Sequence, residues 1–331
     1  MIIETRAFAR AGLLGNPSDG YYGKTISIIV KNFGAHISMY ETPELRIEAR
    51  DEDLNIFKSI HHLIESVSLT GYYGGDRLIK AAIKKFVEFC YRESIPIENR
   101  NFTIRFHSSI PRQVGLAGSS AIITATMRAL MKFYDVTIAR EMIPTLVLSV
   151  EKDELGINAG LQDRVIQTYE GCVYMDFNRE FLESHHYGIY EPIEPRLLPD
   201  LYIAYKTDLG KVSGKVLNDI MEKYLKGDPF VIKTLKEIAS LAETGRKVIE
   251  ERNYDRLSEM MNRNFDLRSK IMNISESNKQ LVEAARDCGA SAKFTGSGGS
   301  VIGIYRDDDM LKKLILNLKE INARVIKPLV I

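Results

Sequence analysis

The stretch Ile110-Pro-Arg-Gln-Val-Gly-Leu-Ala-Gly-Ser-Ser-Ala-Ile-Ile-Thr-Ala-Thr126 decides how this chain is read. A proline turn opens it. Gly115, Gly118, Ser119 and Ser120 then lead into Ala121, Ile122, Ala125, Ala129, Leu130 and Phe133, an apolar helical pattern. Small residues at a helix start leave backbone N–H groups free at its positive end, a place to hold phosphate. The paired serines can cap the helix, donate to phosphate or offer a hydroxyl to magnesium. By itself the segment reads equally well as a glycine loop ahead of an ordinary capped helix.

Upstream of it, residues 2–9 read as a strand and 10–24 as a glycine-rich turn region. Strands are expected at 25–31, 34–41, 44–49 and 102–108, and helices at 54–67 and 76–93. The second helix carries Leu78, Ile79, Ala82, Ile83, Phe86, Val87 and Cys90 on one stripe. Successive strands without helices between them predict an antiparallel or mixed sheet. Downstream, the pattern 138–150 contains Pro144, suited to a helix start or kink, and is followed by a helix at 160–169 and a strand at 171–177. Pro192, Pro195 and Pro199 mark 178–200 as the boundary between an N-terminal domain, 1–190, and a C-terminal one, 191–331. In the latter a strand at 201–206 precedes helices at 214–225, 229–251, 254–272 and 277–288. Strands at 290–296 and 300–305, a helix at 308–318 and a strand at 322–327 complete it. The expected class is α+β, with the second sheet split around a helical bundle.

A chain of 331 residues suffices for two domains with ample cores. Lys+Arg is 45 against Asp+Glu 44, and that balance points to neither a nucleic-acid nor an anionic-membrane partner. No apolar run approaches the roughly 18–20 residues of a membrane span. The first residues follow a strand pattern without a signal h-region, so a cytoplasmic protein is the default expectation. Cys90, Cys172 and Cys288 lack zinc or redox spacing, and Cys90 and Cys288 read as small core residues.

Two glycine patterns fail as nucleotide motifs. Gly23-Lys24-Thr25 resembles the end of a P-loop, but the earlier glycine it needs falls on Ser18, and a strand follows. Gly296-Ser-Gly298-Gly-Ser-Val301 starts like a dinucleotide fingerprint, but Val301 takes the third glycine position. Three other features stand. Arg10 through Gly23 would present Asn16, Ser18 and Asp19 to a polar ligand, or form a turn stabilised by those side chains. Glu151 and Asp163 lie twelve residues apart and could divide metal binding and proton acceptance, or be solvated helix residues. Lys293-Phe-Thr-Gly-Ser-Gly-Gly-Ser300 is a glycine loop between strands, open to close backbone approach or simply a tight hairpin.

Together these segments resemble the GHMP kinases, the family of galactokinase, homoserine kinase and mevalonate kinase. Phe8-Ala-Arg10-Ala-Gly-Leu-Leu-Gly15, Pro111 through Ala121, and Lys293 through Ser300 match its three motifs in order and spacing. The resemblance covers nearly the whole chain and is closest to the glucuronokinase branch. It extends to Leu14-Gly-Asn-Pro-Ser-Asp19, Arg100-Asn-Phe-Thr103, Ala159-Gly-Leu-Gln-Asp-Arg164, Val173-Tyr-Met-Asp-Phe177, Ser213-Gly-Lys215 and Met261-Asn-Arg-Asn-Phe-Asp-Leu-Arg268. It implies a two-domain fold with an N-terminal ribosomal-protein-like mixed sheet and a C-terminal split α/β sandwich. It also implies ATP as co-substrate and Mg²⁺ as its counter-ion. Arg112, Gly115, Leu116, Ala117, Gly118, Ser119 and Ser120, with Gly296, Ser297 and Gly298, would then line the ATP phosphates. Ser120 and Glu151 would ligate the metal, Asp163 matches the proton-accepting acid, and Arg10 matches the basic residue set against that acid. Asp19 matches an acid that bonds sugar hydroxyls, and Asn16, Ser18, Lys24 and Arg268 are the other substrate-side candidates. The chain departs from the family at Gly15-Asn-Pro-Ser-Asp19, where many relatives carry Gly-Glu-His-x-Asp, and at Ala117, where glycine is usual.

A uronic acid carries a carboxylate that calls for an arginine or lysine, for which Lys24, Arg112, Lys215 and Arg268 are candidates. The expected reaction moves the γ-phosphate of ATP to the anomeric hydroxyl of a uronic acid, D-glucuronate first. Galacturonate, a heptose or another small sugar is the alternative. A non-catalytic sensor on this fold is disfavoured because Arg10, Ser120, Glu151 and Asp163 are all present. An RNA-binding module is disfavoured by the near-neutral charge and the lack of a basic, aromatic-rich stripe. The partners expected are the sugar acid and ATP, with neither nucleic acid nor membrane, in a monomer or homodimer.

Overall fold

Two strands run much further than their turn signals suggest. In the computed structural model β1 spans Ile2–Leu14 and β2 spans Lys24–Glu41. The turn expected over 10–24 is therefore confined to its second half, with a 3₁₀ turn at Ser18–Tyr21. Gly12 lies inside β1 because another backbone approaches it there: its N–H donates to the Thr295 carbonyl at 2.8 Å. The strands expected at 25–31 and 34–41 merge into one, since Gly34 at the supposed break stays bonded both ways to Ser109 at 3.0 Å.

The structure describes residues 1–48, 54–70, 76–207 and 216–331, so Ser213-Gly-Lys215 lies outside the described residues. They form two units. The first comprises Met1–Ala9, Phe33–Ile110 and Ala117–Thr168. The second comprises Arg10–Asn32, Pro111–Leu116 and Tyr169–Ile331.

In the first unit, β3 (Leu45–Glu48), β4 (Leu54–Phe57), β5 (Phe102–Ser108) and β2 form a sheet in the order β4-β3-β5-β2. The β3–β5 pair is parallel and the others antiparallel, so the sheet is mixed, as expected. The helix expected at 54–67 is displaced by β4, whose Phe57 pairs with Leu45; α1 follows at Ile60–Thr70. Helices α2 (Arg77–Arg92) and α3 (Gly118–Phe133) pack together. Ile79, Ala82, Ile83, Phe86, Val87 and Cys90 of the expected α2 stripe are buried, each large side chain contributing about 1.5–3 kcal/mol. Phe102 and Tyr134 both meet Phe133 edge-on, at 5.2 and 4.9 Å. Next, α4 (Ile143–Ser149) opens on Pro144 and continues into a π-helical turn, Val150–Glu154, before α5 (Gln162–Tyr169). Lys84 of α2 grips that turn through Glu154 at 2.6 Å.

In the second unit the N-terminal half of β2 pairs antiparallel with β6 (Cys172–Asp176), and β6 with β7 (Ile189–Ile193). A short helix, α6 (Arg179–His185), lies between them in the chain. The second sheet has β8 (Leu201–Lys206), β9 (Lys293–Phe294), β10 (Ser300–Ile304) and β11 (Ala323–Ile326) in the antiparallel order β11-β8-β10-β9. Helices α7 (Val216–Leu225), α8 (Pro229–Glu250), α9 (Tyr254–Ile271) and α10 (Glu276–Arg286) intervene between β8 and β9. The last, α11 (Asp308–Glu320), separates β10 from β11, so the sheet is split around its helices as the sequence implied. Asp228, Asn253 and Asp307 accept from first-turn N–H groups and start α8, α9 and α11. The strand expected at 290–296 shortens to two residues because the Ser291 hydroxyl, not its backbone, accepts from the Ile304 N–H at 2.9 Å. Burial pushes the Cys172 thiol up to about 12 and Cys90 up to about 11, whereas Cys288, just past α10, is half-buried. No helix among the described residues is long and apolar enough to cross a membrane.

Candidate active site

The first unit gathers the start of α3 with two acids. Ala117, the residue before α3, has φ +61°, a left-handed conformation that swings the chain into the helix, and no side chain caps the helix start. Both serines are occupied as donors, with their oxygen lone pairs left to accept. The Ser119 hydroxyl donates to Glu151 Oε1 at 2.8 Å, and the Ser120 hydroxyl to the Ala117 carbonyl at 3.2 Å. That carbonyl also accepts from Gln167 Nε2 at 2.9 Å, which pins the loop to α5. Glu151 projects from the π-helical turn and is 1% exposed. Asp163 sits in the first turn of α5, where the helix dipole favours its charge. Arg164 joins the two acids: its Nη2 donates to Glu151 Oε2 and its Nη1 lies 3.4 Å from Asp163 Oδ2.

The second unit interlocks three glycine-bearing segments. Arg10, 5% exposed, donates from Nη1 to the carbonyls of Thr295 at 2.6 Å and Gly115 at 3.1 Å. Gly115 has φ +71°, and a Cβ there would stand 2.7 Å from the Gly298 carbonyl. A Cβ on Gly296 would strike the Gly115 carbonyl. Ser300 Oγ reaches the Val114 carbonyl at 2.5 Å, and Asn278 Oδ1 accepts from the Gly299 N–H at 2.9 Å. The loop 295–299 thus lies with its backbone close against that of Gly115 and is held by side-chain bonds from Arg10 and to Asn278. Arg268, which burial pulls down to about 10, donates to the Gly296 carbonyl at 2.7 Å and lies over the Phe294 ring. Asn16 is buried: its Oδ1 accepts from Lys293 at 2.6 Å and its Nδ2 donates to the Phe294 carbonyl at 3.4 Å. Ser18 is buried and donates to the Lys24 carbonyl at 2.9 Å. Asp19 is half-buried, and its charge acts on Arg268 and Tyr21. Arg112 is exposed.

Beside the Ser18–Tyr21 turn a cavity of about 380 Å³ is walled by Tyr21, Tyr22 and Tyr224, with Lys24, Arg179 and Lys236 as its cations. Glu243, the one acid on its lining, meets Lys24 at 2.9 Å. Burial opposes the charge of Lys24, but the bond to Glu243 and nearby Asp176 raise its pKa above the usual lysine value.

Residues 77–171 match the family model of the GHMP kinases N terminal domain, and residues 246–323 match that of the GHMP kinases C terminal. Glucuronokinase 1 of Arabidopsis thaliana is 44% identical to this chain, over 91% of it and 84% of the plant protein. The chain belongs to the GHMP kinase family. Its fold is that of solved members with little sequence in common. The Methanococcus jannaschii mevalonate kinase superposes with a TM-score of 0.74 at 22% identity, over 99% of this chain and 98% of that one. The Lactococcus lactis galactokinase, solved with galactose, superposes with a TM-score of 0.80 at 14% identity, over 99% and 93%.

A GHMP kinase takes ATP as its phosphoryl donor. Glu151 and the paired serines of the first unit offer the oxygen ligands that a hard cation such as magnesium takes. No group of three or more His, Cys, Asp or Glu that could hold a metal ion occurs among the described residues. Of the loop serines, Ser119 is the one bonded to Glu151. Sequence reasoning missed Arg164 and Asn264 as site residues, although both fall in segments that carried the resemblance. Asn264 Oδ1 accepts from the Gly15 N–H at 2.7 Å and its Nδ2 donates to the Asn16 carbonyl at 3.1 Å. A polar residue at a helix position that should face the core was the available signal.

Proposed function

We propose that this kinase moves the γ-phosphate of ATP to the anomeric hydroxyl of a uronic acid, with D-glucuronate the first choice. The 44% identity to Glucuronokinase 1 over 91% of the chain carries this reading. Arg112, Gly115, Leu116, Ala117, Gly118, Ser119 and Ser120, with Gly296, Ser297 and Gly298, hold the triphosphate through backbone N–H groups and the open start of α3. Ser120 and Glu151 hold Mg²⁺, which neutralises phosphate charge when bound. The sugar hydroxyl passes its proton to Asp163 as its oxygen bonds to the γ-phosphorus. The bond from that phosphorus to the β–γ bridging oxygen breaks, and ADP leaves. Arg10 balances the charge of the transfer, and Asp19, with Asn16 and Ser18 shaping its turn, receives sugar hydroxyls. The adenosine-triphosphate side belongs to an N-terminal domain, 1–190, and the family's C-terminal domain to 191–331.

The sugar's carboxylate is assigned to Lys24. It opens onto the cavity where three cations face one acid and tyrosine rings offer flat apolar walls. Arg268, fully buried against the third loop, supports that loop from below. ADP release across a panel of sugars tests the substrate: turnover of glucuronate is expected, and activity on a neutral sugar with none on any uronate would sink the reading. Lys24→Met should raise KM for glucuronate about 10-fold or more, the worth of a charge-assisted hydrogen bond, while KM for ATP holds. An unchanged glucuronate KM would move the carboxylate elsewhere.

A further inference from the structure

Arg164 is a buried arginine placed between the two acids of the first unit. Glu151, 1% exposed, is a carboxylate that cannot stay charged in the interior without donors. It has one on each oxygen, Ser119 Oγ on Oε1 at 2.8 Å and Arg164 Nη2 on Oε2. The other arm of the same guanidinium donates to the Gly160 carbonyl at 2.6 Å and lies 3.4 Å from Asp163 Oδ2. A carboxylate offers about four lone-pair positions, so each oxygen keeps accepting capacity beyond these two bonds.

We propose that Arg164 is a positioning residue that holds Glu151 in the orientation for metal binding and ties it to Asp163. The proposal rests on the reading of Glu151 as metal ligand and Asp163 as proton acceptor. Nη2 neutralises Glu151 through Oε2, while Oε1 is the oxygen bonded to Ser119 of the loop. Nη1 sets the start of α5 through Gly160, and with it the direction of Asp163. The planar, two-armed guanidinium can serve both acids at once. The single ammonium of lysine cannot. Outer contacts of this kind typically change metal affinity 10–100-fold when removed.

The test uses the full chain, with Mn²⁺ as probe in the presence of saturating ADP, its binding followed by electron paramagnetic resonance. Arg164→Lys keeps the buried positive charge and removes the two-armed geometry. Its Mn²⁺ dissociation constant should rise about 10-fold or more, with kcat reduced and KM for the sugar within about twofold of wild type. In a Glu151→Gln background, where the interaction is already gone, adding Arg164→Gln should bring no further loss of Mn²⁺ affinity. Wild-type Mn²⁺ affinity and kcat in Arg164→Lys would overturn the proposal, leaving Arg164 a purely structural residue even if the melting temperature fell. A full additional loss in the Glu151→Gln background would overturn it too. Failure of the wild-type chain to turn over any uronate would instead defeat the substrate assignment and leave the manganese comparison standing.

Discussion

At the scale of single residues, the proposed proton acceptor Asp163 is given the heaviest chemical role. A positioned carboxylate that accepts a proton in the transition state contributes about 10²–10⁴ in rate. Asp163→Asn keeps the shape and the place at the start of α5 but removes the basicity. Its kcat should fall by about that factor while nucleotide affinity, measured by titration calorimetry, changes less than about twofold. Normal turnover in this variant would refute the role. Ser119 and Ser120 show how far one residue's function depends on its direction. As a pair at a helix start they were legible as caps, phosphate donors or a metal ligand. The structure has neither capping the helix: one hydroxyl goes to Glu151 and the other to the Ala117 carbonyl. Rotamer choice at two adjacent serines leaves no trace in the sequence.

Among the elements, the short β9 strand and the loop after it depend on Lys293. Its Nζ lies within hydrogen-bond distance of three oxygens, the Gly12 carbonyl at 2.7 Å, Asn16 Oδ1 at 2.6 Å and the Phe294 carbonyl at 2.8 Å. Lys293 thereby joins β1 and its turn to β9. Lys293→Met strands those acceptors and should destabilise the chain by about 2–4 kcal/mol, read from the denaturant midpoint. The pH dependence has a definite sign. Burial, with Arg268 and Arg10 nearby, holds the folded-state pKa of Lys293 well below the ordinary 10.5. Between those two values the unfolded chain binds more protons than the folded one, so stability contributed at this site rises with pH. The stability difference between wild type and Lys293→Met should therefore widen from neutral pH toward about 10. A difference that narrowed over that range would contradict a buried, proton-disfavouring site. The element also shows why strand lengths were misread. Ser291 substitutes its hydroxyl for a ladder bond, and Gly12 lies within β1 rather than ending it.

For the whole molecule, ligand binding should register as stability. A nucleotide that binds only the folded chain contributes about 2.7 kcal/mol at a hundred times its Kd, enough to raise Tm by a few degrees. With ADP and Mg²⁺ present, scanning fluorimetry should show that rise, and excess EDTA should remove most of it if, as proposed, Ser120 and Glu151 hold the metal against the phosphates. An equal rise with and without EDTA would count against Ser120 and Glu151 as metal ligands.

The sequence alone determined the kinds of element and most of their order. The α2 stripe and the split of the second sheet around its helices are both written in spacings of a few residues. The three glycine segments, and through them the family, were legible for the same reason: glycine is demanded wherever backbone must approach backbone, as at Gly115 and Gly296. Only the tertiary structure decided which partners those residues take. Arg10 meets Thr295 across 285 residues of sequence, Lys293 meets Gly12 across 281, and Glu151 meets Ser119 across 32. Such contacts are set by the packing of strands and helices that are distant in the chain, and local residue spacing carries no record of them.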